Sequence, residues 1–361
     1  MTIGVLKEQS PETRVSFLPE HVAALKKLGI NVSIENDAGE NSFASNEKYS
    51  EAGATINSRE DVIKNSSVIL CIHAPQSNEL EKFSGKILIG VYNPLFYPEK
   101  IELWNKNNIT IFSLDRLPRT TRAQSMDVLS SQANIAGYKA VLIAADLFPG
   151  YFPMFMTAAG SIPPVKVLIL GAGVAGLQAI ATARRLGAVV EVFDTRPAVK
   201  EEVMSLGAKF VEVEGAADAS ASGGYAVEQT PEFLSRQKQR IAEAVLKSDV
   251  IITTAQIPGK KAPILIEDNM LASMKNGSVI IDLAASSGGN TPFTKNNETI
   301  IKYGVRIVGD SNLPASMPKD ASKLYGKNVS NFLQLIIKDG EVHLNFEDDL
   351  VKNSCICFEG N

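Results

Sequence analysis

Cysteine and histidine are scarce in this chain: its 361 residues hold three of each, and a single tryptophan. Cys71 stands alone, and Cys355 and Cys357 form a C-x-C too closely spaced for a structural zinc site, with no companion pair or histidine nearby. His21, His73 and His343 are scattered. Together these shortages argue against a disulfide framework, a metal centre, and a Ser/His/Asp or Cys/His catalytic constellation. Excess charge of one sign is also lacking, since the net charge is -4 with both signs interspersed. A chain without a basic stripe is a poor nucleic-acid binder, and none is expected as partner. Long hydrophobic runs are missing too. The most apolar window, residues 165–181, is broken by Lys166 and Gln178, and the opening residues turn polar at Lys7-Glu8, too soon for a signal peptide. A soluble, cytoplasmic α/β chain of two domains is expected.

What the chain does have is Val165-Lys-Val-Leu-Ile-Leu-Gly171-Ala172-Gly173-Val174-Ala-Gly176, followed by a second apolar strand ending on Asp194. A strand buried on both faces (165–170), a glycine turn, a helix (174–186) and a second strand (188–193) form the βαβ context in which G-x-G-x-x-G binds pyrophosphate. Asp194 follows Gly171 at close to the roughly 20-residue spacing of the carboxylate that binds the adenosine ribose. NAD(H) is therefore the expected cofactor, because a carboxylate there repels the 2′-phosphate of NADP(H). Thr195 and Arg196 follow directly. Arg196 has two readings: a counter-charge for a phosphate, or a side chain lying along the adenine or in an ion pair.

Elsewhere the chain alternates strand and helix. Strands are read near 3–6, 31–35, 68–72, 87–91 and 109–112, with helices at 19–28 and 98–105; further strands follow near 165–170, 188–193, 208–213, 249–254, 278–283 and 305–308. This predicts two Rossmann-like doubly wound parallel sheets joined by long helices at 124–145 and 321–337. The boundaries expected are 1–129 plus 319–361 for the first domain and 130–318 for the NAD(H)-binding domain, with the nicotinamide in the cleft between them. Residues 214–229 are small and nearly free of apolar anchors, and read as either a loop able to close over a ligand or a disordered insertion. In Arg119-Thr-Thr-Arg-Ala-Gln124-Ser125-Met126-Asp127-Val-Leu-Ser130-Ser131, a helix beginning after Thr121 would place Gln124, Asp127 and Ser131 on one face. Thr121-x-x-Gln124 is equally a capping-box pattern.

Arg119 to Tyr138, Met154 to Gly160, Gly171 to Lys200, Gly223-Gly224-Tyr225-Ala, Ile257-Pro-Gly-Lys260 and Gly288-Gly-Asn290 together resemble the NAD(H)-binding component of proton-translocating NAD(P) transhydrogenase. The resemblance covers nearly the whole chain. It implies that Arg119, Gln124 and Asp127 contact the nicotinamide and its ribose, with Ser125, Met126 and Ser130 or Ser131 nearby. It implies nucleotide contacts at Gly171, Ala172, Gly173, Val174, Gly176, Asp194, Thr195, Arg196, Ala255 and Gln256, and a mobile loop around Gly224 and Tyr225. It further implies a homodimer, an NADP(H)-binding component as hydride partner, and a membrane-spanning proton-channel component that holds the chain at the inner membrane. Gln256 departs from the pattern, standing where an aliphatic residue is expected. Alanine dehydrogenase resembles the same fold throughout. Arg14 fits its carboxylate-binding arginine, but no lysine follows the strand at 68–72, no histidine stands at Asn93, and no acid follows Ala285. A non-enzymatic NAD-binding protein is the remaining alternative.

Overall fold

The computed structural model describes residues 1–213, 215 and 230–358. Its first stretch carries β1 (Thr2–Val5), α1 (Pro19–Lys27), β2 (Asn31–Glu35), α2 (Asn46–Glu51), β3 (Thr55–Asn57), α3 (Arg59–Asn65), β4 (Val68–Leu70), β5 (Ile87–Gly90), α4 (Glu99–Lys106) and β6 (Thr110–Ser113). The helix α5 (Val128–Leu147) and a hairpin of β7 (Phe155–Thr157) and β8 (Gly160–Ile162) come next. Then follow β9 (Lys166–Leu170), α6 (Val174–Arg185), β10 (Val189–Phe193), α7 (Lys200–Ser205), β11 (Lys209–Phe210), α8 (Pro231–Lys247), β12 (Val250–Thr253), α9 (Asp268–Ala272), β13 (Val279–Asp282), β14 (Thr299–Lys302) and β15 (Val305–Val308). The chain returns through α10 (Pro318–Ile336), β16 (Ile337–Lys338), β17 (Glu341–Val342), α11 (Asp349–Ser354) and β18 (Cys355–Cys357). Two compact units result, Met1–Gln132 with Pro314–Asn361, and Ala133–Leu313.

In the first unit the strand order is β18-β6-β5-β4-β1-β2-β3, with every described pairing parallel except that of β18 with β6. β4 and β6 are buried at every residue, as strands sandwiched between helix layers must be. In the second unit the order is β11-β10-β9-β12-β13-β15-β14, parallel except for β14 against β15. Each sheet winds outward in both directions from its first strand, which puts a topological switch point between β1 and β4 and another between β9 and β12. The two-domain, doubly wound architecture read from the sequence is the one observed.

The differences are local. The second sheet has a seventh strand, the antiparallel β14, and the first has β3 and β18 at its edges, none of them anticipated. The helix expected from Gln124 begins at Val128 instead; Thr121–Met126 form a 3-10 turn. The reason is Asp127, whose Oδ1 accepts the Ser130 amide at 2.9 Å and whose Oδ2 accepts the Ser130 hydroxyl at 2.6 Å. That side chain satisfies an orphan donor of the first turn of α5, and so fixes the helix start there rather than at Thr121. Gln124 and Asp127 consequently do not share a face of one continuous helix. Gly224 and Tyr225, with the rest of the proposed closing loop except Gly215, lie outside the described residues.

Candidate functional site

At the switch point of the second unit, β9 runs into Gly171-Ala172-Gly173 and then α6. Gly171 adopts φ +108, in the region that glycine alone enters without strain. A side chain on Gly176 would place its Cβ 1.9 Å from the Gly171 carbonyl oxygen, so helix and turn pack at a distance only glycine allows. A Cβ on Gly173 would meet nothing within 4 Å. Open space before the turn, a constrained first glycine and a close-packed third one are the three conditions a pyrophosphate cradle imposes. The first helical bond here is donated by the Leu177 amide to the Gly173 carbonyl at 2.8 Å, so the amides of the preceding turn have no partner within the helix. They and the helix dipole favour an anion. The buried Ala179, Ile180 and Ala183 fall on one helical face and seat α6 on the sheet.

Asp194 stands just past the end of β10. Its Oδ2 accepts the Ala172 amide at 2.7 Å and Arg196 Nη2 at 2.8 Å, while Oδ1 accepts the Arg196 amide at 2.8 Å and Arg196 Nε at 2.9 Å. The carboxylate thus links the glycine turn to the next strand's exit. Of the two readings for Arg196, the structure shows the ion pair, and hydrogen bonding to Asp194 raises its pKa above the ordinary value. Thr195 beside it is half-buried.

Across the switch point the Thr254 amide donates to Leu170 O at 2.9 Å, which sets Ala255 and Gln256 beside the same turn. Ala255 is held by a residue to which no role was assigned from sequence. Asn290, fully buried, accepts the Ala255 amide at 3.2 Å and donates to the Ala255 and Pro263 carbonyls at 2.9 and 2.8 Å. Its own amide donates to Asp282 Oδ2 at 2.6 Å. Three loops are therefore fixed at one asparagine. The exposed Gln256 donates to Leu283 O at 2.8 Å, a further cross-link between the loops after β12 and β13.

The first unit carries the other candidates. Arg119, Gln124 and Ser125 are exposed, Asp127 and Ser130 are half-buried, and Met126 at 7 % exposure belongs to the unit's core with Ala123 and Val128. The Met126 side chain therefore faces inward. At this unit's switch point lies a charged cluster that composition alone conceals. Glu12 accepts Arg14 Nε at 2.8 Å and Nη2 at 2.6 Å, and His73 Nε2 lies 2.8 Å from Glu12 Oε2. Arg14 Nη1 donates to Gln132 Oε1 at 2.8 Å. Burial opposes ionisation of Glu12, but the Arg14 and His73 contacts prevail and hold its carboxyl well below the usual range. Glu8 shows the opposite balance: burial pushes its carboxyl up to about 7, against the pull of His73 and of the Ile72 amide that donates to it. Among the described residues no group of histidine, cysteine or carboxylate side chains could hold a metal ion, and no helix is long and apolar enough to cross a membrane.

Comparison with known proteins covers the whole chain. The family described as alanine dehydrogenase/PNT, N-terminal domain, matches residues 4–136, and alanine dehydrogenase/PNT, C-terminal domain, matches residues 140–361. The NAD(P) transhydrogenase subunit alpha (first part) of Rhodospirillum rubrum is 43% identical over 100% of this chain and 97% of its own length. A crystal structure of transhydrogenase from Sinorhizobium meliloti, also 43% identical, superposes with a TM-score of 0.91 over 100% of this chain and 99% of that one. Alanine dehydrogenase of Staphylococcus haemolyticus is 27% identical over 94% of this chain and 88% of its own.

Proposed function

The chain belongs to the alanine dehydrogenase/PNT family, on its NAD(P) transhydrogenase alpha-subunit branch, and on that premise we propose that it binds NAD(H) and exchanges hydride with NADP(H) held on a separate component. Pyridine-nucleotide binding and an oxidoreductase role come with the family. The observation that carries the finer reading is the glycine turn: open at Gly173, strained to glycine at Gly171, close-packed at Gly176 and tied to Asp194.

The residues present fit the nucleotide. The turn and the N-terminus of α6 would hold the pyrophosphate, and Asp194 the adenosine ribose. Arg119, Gln124 and Asp127, with Ser130 beside them, would orient the nicotinamide and its ribose. Bound there, NADH supplies a hydride at its nicotinamide ring. Transfer from one nicotinamide to another releases no proton, so this chain's residues need only orient the ring and exclude water. Arg14, the residue closest to an alanine dehydrogenase pattern, is already committed to Glu12 and Gln132. The full assembly in this reading adds an NADP(H)-binding component and a membrane component that conducts protons, the chain itself lying on the cytoplasmic side of the inner membrane. A second copy of the chain would join through the β7–β8 hairpin, where Met154, Phe155, Met156 and Ile162 are exposed and Tyr151 stacks on Phe155 at 5.3 Å.

Mixing tests the division of labour. The chain alone should bind NADH yet transfer no hydride to NADP⁺, with transfer appearing when the NADP(H)-binding component is added and proton movement only with the membrane component. Gln124→Asn should slow that transfer far more than it weakens NADH binding, since a shorter amide misplaces the ring without touching adenosine contacts. Transfer by the chain alone, or alanine-dependent NADH formation at about 1 s⁻¹ or more, would replace this reading.

A further inference from the structure

The turn that carries Gln124 and Ser125 is short, 3-10 in geometry and exposed on the side of those two residues. Such turns hydrogen-bond poorly and do not hold a side chain in register unaided. Two amides from a distant helix meet it. Asn328 Nδ2 and Asn331 Nδ2, one turn apart on α10, both donate to the Ser125 carbonyl oxygen at 2.8 Å. That carbonyl sits near the end of the turn, where acceptors have no partner of their own. Two residues further on, Asp127 is fixed by its bonds from Ser130, so the backbone that follows Gln124 directly is restrained at both Ser125 and Asp127.

Asn328 is a costly choice for this place. It is 8 % exposed, and its Oδ1 has no hydrogen-bond partner among the described residues. An apolar side chain there would leave no polar atom unsatisfied. What the asparagine supplies is the Nδ2 donated to Ser125. A third tether, Arg122 to Asp348 and Asp349 at the start of α11, is largely exposed and adds little.

We propose that Asn328 and Asn331 are positioning residues for hydride transfer, acting on the nicotinamide side through the Ser125 carbonyl and Gln124. The inference rests on the role given to Gln124 above. The test uses Asn328→Ala, Asn331→Ala and the double variant, each with and without Gln124→Asn, in the transhydrogenase reconstituted with its other components. Single-turnover hydride transfer, the NADH Kd and the melting temperature are measured for each. Transfer should fall about 10-fold or more in the asparagine double variant while the NADH Kd moves less than about 3-fold, a displacement effect rather than a lost contact. In the Gln124→Asn background the same two changes should cost little further, because both act through one side chain. Asn331 is only half-buried, so Asn331→Ala keeps the test readable should Asn328→Ala lower the melting temperature. Unchanged transfer, or losses that simply add to that of Gln124→Asn, would overturn the positioning role while leaving the function intact. A Gln124→Asn enzyme with normal transfer would overturn the role of Gln124 and this inference with it.

Discussion

Asp194 accepts four N–H bonds and its side chain is 6 % exposed, so in the proposed nucleotide site its charge is already neutralised by Arg196 before a ribose arrives. Selectivity for NADH over NADPH is then a matter of which group Arg196 serves. With Asp194 present, a 2′-phosphate must compete with a carboxylate for the guanidinium and meets that carboxylate's repulsion. NADH should bind at least about 10-fold more tightly than NADPH, which is about 1.4 kcal/mol. In Asp194→Ala the ribose loses its acceptor and Arg196 loses its counter-ion, so NADH weakens while NADPH strengthens. Calorimetric titration of both dinucleotides separates this from a loosened glycine turn, which would weaken the two alike.

At the scale of elements, Glu8 joins the exit of β1 to the segment after β4, accepting the amides of Ile72 and His73. Its folded pKa of about 7 lies above the unfolded value, so the stability it lends through its protonated form is complete at acid pH and lost as pH rises through about 7. Glu12, held low by Arg14 and His73, works the other way and loses its contribution as pH falls below the carboxylate range. Glu8→Gln copies the protonated form and keeps an acceptor for Ile72. The drop in melting temperature between pH 5 and pH 8 should be smaller in this variant than in the parent, and an equal drop would remove Glu8 from the account. The same elements explain what could be read in advance. Strands such as β4 and β12 are buried at every residue and are apolar throughout or, in β12, up to the closing Thr253, because helices cover both faces, and they announce themselves. The edge strand β14 alternates exposed and half-buried residues, and β3 is exposed or half-buried at each of its residues, so neither leaves a comparable mark. The strand, glycine turn and helix, with Asp194 just past the next strand, were legible because that arrangement depends on local spacing. Asn290 bonds to a residue 35 positions away, and Asn328 and Asn331 to one more than 200 away, distances at which pattern carries no information.

At the scale of the molecule, the β7–β8 hairpin is exposed at every residue, with Met156 at 73 %. A ribbon of this size has no stability to spare on its own, and its apolar side chains gain from a covering partner. If a second copy supplies that cover, Phe155→Ser with Met156→Ser should shift the chain from dimer to monomer in sedimentation while leaving its melting transition cooperative; an unchanged sedimentation coefficient would place the interface elsewhere. The return of the chain has a different consequence, in time rather than in space. Residues 133–313 are contiguous and can close their sheet while still attached to the ribosome. Residues 1–132, although made before them, lack α10 over their core and β18 along the open edge of β6 until residues 314–361 have followed. Of the two units, the one begun earlier is thus the later to finish folding, and until residues 314–361 arrive it presents an unpaired strand edge to whatever surrounds it.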